Sequence, residues 1–154
     1  RLISMAGFTY EYSLGGGSKP ALGIFKSKDT DTLTKGDILN LESGEVDLAA
    51  TNDAAFVGVV VGASNLSLSA EAQGVITAVD STTEIVAILD PLAVYSVEDD
   101  NARNAGATLD ISGATGAQTV AATSNADFTV VTTKRAATDR TLVKFTSGEH
   151  YLDI

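Results

Sequence analysis

Large and polar side chains alternate along Phe8-Thr9-Tyr10-Glu11-Tyr12, a two-residue period that reads as a half-buried strand. The same period returns in Asp37–Glu42 and in Gly74–Asp80, and Leu22–Lys26 and Glu84–Asp90 read as further short strands. Within Asp37–Glu42 it puts Ile38 and Asn40 on one face and Leu39 and Leu41 on the other. Ser43-Gly44-Glu45 then supplies a tight connection, and Val46–Ala49 returns from it as a hairpin. Phe56–Gly62 is continuous and β-branched, the signature of a central strand covered on both faces. Gly58 and Gly62 inside it predict a bulge, a bend or a close backbone approach. Pro91 stops one strand, and Leu92–Glu98 starts the next. Thr108–Ile111, Phe128–Thr133 and Thr141–Thr146 complete the series, with Glu149–Ile154 as a short edge strand.

No stretch carries apolar residues at the i, i+3, i+4, i+7 spacing of a long helix. The one helical candidate is a single turn over Asp99–Ala105, opened by acids and closed by Gly106. Ten or more short strands at this spacing give an all-β fold: a small β-barrel (β-tulip) or sandwich. The Gly15-Gly16-Gly17-Ser18-Lys19-Pro20 run reads as a flexible hinge. It divides an extended N-terminal arm, residues 1–20, from one β-rich domain, residues 21–154. The small, polar Ser112–Asn125 stretch reads as a loop or edge ribbon.

The side-chain inventory narrows the chemistry. The 154 residues contain no Cys and one His, so thiolate chemistry is absent and any histidine-based triad or metal site runs through His150. His150, near the end, reads as a surface residue. A formal net charge of −10 opposes binding to nucleic acid or anionic lipid. The longest apolar run, Phe56–Ala63, is too short for a membrane helix, and Arg1–Ala6 lacks the core of a signal peptide.

Each candidate motif lacks a required residue. The glycine run ending in Lys19 is followed by Pro20 and no helix, unlike a phosphate-binding loop. Asp29 and Asp31 open like a calcium loop, but Leu33, Thr34 and Asn40 stand where its acid, glycine and glutamate belong. A cation near Asp29 and Asp31 is the residual alternative, and no cofactor is expected. Asn65-Leu66-Ser67 is an isolated glycosylation sequon. Two charged groups remain as contact candidates: the acids Glu98, Asp99 and Asp100, and the cations Lys134, Arg135, Arg140 and Lys144, which gather four of ten basic residues into eleven positions. Aromatic residues on a mobile arm need a partner to bury them, which makes Phe8, Tyr10 and Tyr12 the expected anchors.

The stretch from Thr34-Lys35-Gly36-Asp37-Ile38-Leu39-Asn40-Leu41 through Gly58-Val59-Val60-Val61-Gly62 resembles head decoration (cement) proteins of tailed bacteriophages. Gly74-Val75-Ile76-Thr77 and Pro91–Ile111 extend the similarity, which covers about residues 30–150. The resemblance implies a β-barrel or β-tulip subunit that forms homotrimers on the capsid exterior, binds the major capsid protein and reaches a neighbour with its arm. It implies a virion protein made in the bacterial cytoplasm, with no catalytic residues and no small-molecule substrate. Rival readings are an extracellular β-sandwich that binds carbohydrate or another surface, a tail-tube or minor capsid subunit, and a β-fold hydrolase.

Overall fold

A computed structural model describes residues 7–17, 19–28, 32–64, 75–76, 82–122 and 124–152. The described residues hold thirteen strands and no helix. The strands are β1 (Phe8–Ser13), β2 (Leu22–Ser27), β3 (Leu33–Thr34), β4 (Ile38–Glu42), β5 (Glu45–Leu48), β6 (Phe56–Ala63), β7 (Val75–Ile76), β8 (Glu84–Ile88), β9 (Ala93–Val97), β10 (Thr108–Ser112), β11 (Thr119–Ala122), β12 (Phe128–Val130) and β13 (Thr141–Phe145). The all-β fold expected from the alternation is the fold observed.

Five strands close on themselves in the order β2-β5-β4-β6-β8, giving a small barrel. Six others form an open sheet, β1-β9-β13-β12-β10-β11, and β3 with β7 makes a two-stranded ribbon. The β4–β5 hairpin turns on Ser43 and Gly44, both at positive φ (52° and 84°), the geometry a two-residue hairpin needs. Two apolar clusters result. Leu39, Val46, Val57, Val60, Ile85 and Ala87 share one, with Leu33 and Ile76 of the ribbon. Ile38, Phe56, Val59 and Ile88 point the other way and pack against the six-stranded sheet. The expected division of Ile38 from Leu39 and Leu41 is therefore the division between two cores.

β6 lies between the two cores, and a bulge sets which of its residues face each. Ile38 pairs with Val59 and Asn40 with Phe56, so two steps on β4 match three on β6. A second irregularity falls between Val60 and Gly62. Phe56 and Val59, three residues apart, thus face the same side, and so do Val57 and Val60. Gly58 occupies the first bulge at φ 152°, against the Ile88 carbonyl and the Tyr95 hydroxyl.

Four of the five phenylalanines stack between barrel and sheet. Phe128 lies 5.2 Å from Phe8, 5.2 Å from Phe145 and 6.2 Å from Phe56, centre to centre, with the rings nearly parallel. Polar side chains lock the two layers at their rim. The Gln118 amide accepts from Ile38 N–H (2.6 Å) and donates to the Ala49 carbonyl (3.0 Å). The buried Asp37 carboxylate accepts from Thr34 N–H, Gly116 N–H and Thr115 Oγ1.

Three expectations need correction. The segment Phe8–Ser13 is no free arm: it pairs antiparallel with β9 from Phe8↔Val97 to Ser13↔Ala93, with a bulge between Tyr10 and Tyr12. Its alternating pattern is that of a sheet edge, and the glycines after it make a turn between two sheets. Asp99–Ala105 forms bends and a turn and no helix, because Asp99 holds the loop with its own side chain. The final described residues, Glu149–Leu152, make a single bridge from His150 to Phe56 in place of an edge strand. Within Ser112–Asn125 the ribbon alternative is the correct one, since β11 pairs with β10.

Candidate interaction surfaces

The three aromatic residues of β1 have different surroundings. Phe8 is buried in the ring stack, and Tyr10 packs edge-on against the buried Tyr95 at 6.3 Å. Both are spent on the chain's own core. Tyr12 is exposed (41%), and of the described aromatic residues it alone is. It sits across from Val94, and Leu14 N–H bonds the Leu92 carbonyl two residues further along the same ladder. Leu14 and Leu92 are exposed as well. Tyr12, Leu14 and Leu92 thus form one apolar corner on the outer face of the six-stranded sheet, over the buried Val94.

The cationic group and the acidic triplet meet within one chain. Arg140 Nε donates to Ser96 Oγ (2.9 Å), its Nη2 to the Ser96 carbonyl (2.9 Å), and Nη1 lies 3.9 Å from Glu98. Lys134 Nζ donates to the carbonyls of Asp99, Asn101 and Ala137. Asp99 is buried and bonded by Arg103 Nε at 2.6 Å. Burial alone would raise its pKa; the hydrogen bonds from Arg103 and Asn101, with the Arg103 charge, outweigh that and hold it below the ordinary carboxylate value. Lys144 is half-buried, with Nζ 3.4 Å from the Phe145 carbonyl. Arg135 and Asp100 are exposed. A recess of about 460 Å³ lies beside the triplet, between Glu98–Asn101 and Ala117–Val120.

His150 departs from the surface role expected of it. It is 1% exposed, against Phe145 and Tyr151. Leu152 N–H donates to Nδ1 (3.1 Å), so Nε2 carries the proton and donates to the Val57 carbonyl (2.7 Å). This fixes the neutral ring as a fastener between the chain's last turn and β6. Asp29, Asp31 and the Asn65 sequon lie outside the described residues. Among the described residues no three His, Asp or Glu side chains are placed to hold a metal ion.

Sequence reading gave no signal for Asp127. It is fully buried: Oδ2 accepts from Ile111 N–H (2.9 Å), and Oδ1 has no hydrogen-bond partner among the described residues. Burial, reinforced by Asp110, Glu149 and Asp53, pushes its pKa from 3.8 up to about 6. A carboxyl raised by folding holds its proton longer in the folded state. Its stabilising protonated form is fully present below the unfolded value near 3.8 and is lost as pH rises through about 6. Asp127→Asn is therefore expected to raise the urea midpoint above pH 6 and to leave it nearly unchanged at pH 3.5. A variant no more stable than the parent at pH 7 would contradict this.

No family model, curated protein or solved structure matches the chain.

Proposed function

We propose that this chain is a structural decoration protein that binds the outer surface of a tailed-bacteriophage capsid as a homotrimer and stabilises the shell. The apolar corner of Tyr12, Leu14 and Leu92 carries the reading, because an otherwise acidic all-β protein leaves it uncovered. The likeness over residues 30–150 to cement proteins names the large body it would cover. The mechanism is mass action: copies that bind only the mature shell shift its equilibrium toward that form. Three linked subunits multiply weak single contacts into tight occupancy. A carbohydrate-binding module would need a row of exposed aromatics, and among the described residues Tyr12 stands alone.

The test is co-sedimentation with purified mature capsids of a phage encoding the chain. Tyr12→Asp with Leu14→Asp should cut occupancy at least about tenfold, since desolvating two carboxylates costs more than the 1.4 kcal/mol of one decade. The circular dichroism spectrum should not change, because both side chains are outside the core. Full occupancy by a folded double variant would overturn the role of this corner. Failure of the parent chain to bind any such capsid would overturn the decoration reading itself.

A further inference from the structure

The barrel is closed unevenly. β2 and β5 run parallel and meet at Lys26↔Glu45 and Ser27↔Val46, where β5 begins directly after the Ser43-Gly44 turn. Upstream, no strand among the described residues lies alongside Leu22–Phe25 on that side. The ladder to β8 fixes which backbone groups face the opening. Leu89 N–H bonds the Ala21 carbonyl and Ser27 N–H bonds the Thr83 carbonyl, so Ala21, Gly23, Phe25 and Ser27 turn their groups toward β8. Leu22 and Ile24 turn theirs away from it, into a seam that no described strand fills. Their side chains are also the most exposed large apolar groups described, at 55% and 62%.

We infer that the open seam at Leu22–Phe25 takes an added strand: an extended segment of another protein with apolar and polar residues in alternation and a basic residue at its end. Main-chain groups of Leu22 and Ile24 would supply the rungs, and their side chains would pack on the guest's alternate residues. Charge selects the guest. Around the hairpin-turn end of the seam stand Glu42, Glu45, Asp47 and Glu84 against Lys26 and Lys28, an excess of two negative charges. The whole chain carries 20 acids and 10 bases, which opposes a second copy as the guest. The site goes beyond the decoration reading: it is set by the seam and holds whatever body the apolar corner meets.

The experiment uses the full chain and two capped synthetic peptides, Lys-Thr-Val-Thr-Val-Thr-Lys and its Asp-flanked counterpart. Amide exchange at Leu22 and Ile24, followed by NMR, should slow at least about tenfold with the lysine-flanked peptide and much less with the other. Ile24→Pro should abolish the effect, since it deletes an N–H that faces the seam and takes no bond from the β8 ladder. Should that variant unfold, a lysine-flanked peptide N-methylated on its valines tests the same rungs without touching the protein. Absence of slowing with either peptide overturns the site. Equal or stronger slowing with the Asp-flanked peptide overturns the proposed guest. So does slowing that rises with protein concentration alone and accompanies a dimer mass in light scattering.

Discussion

Gly58→Ala is expected to be among the most damaging single substitutions in this chain. A Cβ there would sit 2.1 Å from the Ile88 carbonyl oxygen and 2.9 Å from the Tyr95 hydroxyl, with φ at 152°. The clash is with the backbone of a paired strand and cannot be relieved by a rotamer change. Relief requires β6 and β8 to separate, or the bulge to move. Moving it by one residue would turn Val59 or Phe56 away from its cluster. Either outcome costs on the order of 4 kcal/mol or more, a large part of the 5–15 kcal/mol that holds a domain folded. Chemical denaturation checks it directly. A midpoint corresponding to a loss below about 1 kcal/mol would show that the bulge is not fixed by this contact.

Deleting residues 1–14 should have a comparable effect. Were those residues an arm, the truncated protein would keep its fold. As observed, the deletion removes a complete edge strand, takes Phe8 out of a four-ring stack and uncovers Tyr95 beneath Tyr10. Losing a buried phenylalanine alone costs about 3–5 kcal/mol, and the exposed edge of β9 adds an aggregation hazard. The truncated chain is expected in the insoluble fraction, or without a cooperative thermal transition. A soluble product with the parent's melting temperature would restore the arm.

The comparison of strand and arm shows what a sequence pattern contains. Period-two alternation in Phe8–Tyr12 placed Phe8 and Tyr10 correctly on one face and missed the bulge that turns Tyr12 to the other. It could not tell whether the covering layer came from the same chain, because burial by β9 and burial by another protein leave the same signature. The two glycines of Phe56–Gly62 announced a close approach, and Gly58 makes one. Even so, the bulge's main effect, setting which β6 residues face which core, depends on the β4 register, which no local residue encodes. Asp127 and His150 were illegible for a related reason. Each is an isolated polar residue whose burial is set by strands distant in sequence, β10 for one and β6 for the other. The charged groups were found by their density along the chain, but density says nothing of sign pairing in space. Arg140 meets Glu98 and Lys134 reaches Asp99 because β13 lies beside β9.

The shared wall also bears on how the molecule comes apart. Val57 and Val60 belong to one cluster, and Phe56 and Val59, interleaved with them, belong to the other. Melting the barrel therefore strips the floor from beneath the aromatic stack, and losing the stack leaves β6 without half its cover. With Gln118 and Asp37 stitching the rim, the two halves are expected to unfold together. The described strands are thus expected to melt as one cooperative unit, in which a local opening along β6 is felt in both cores.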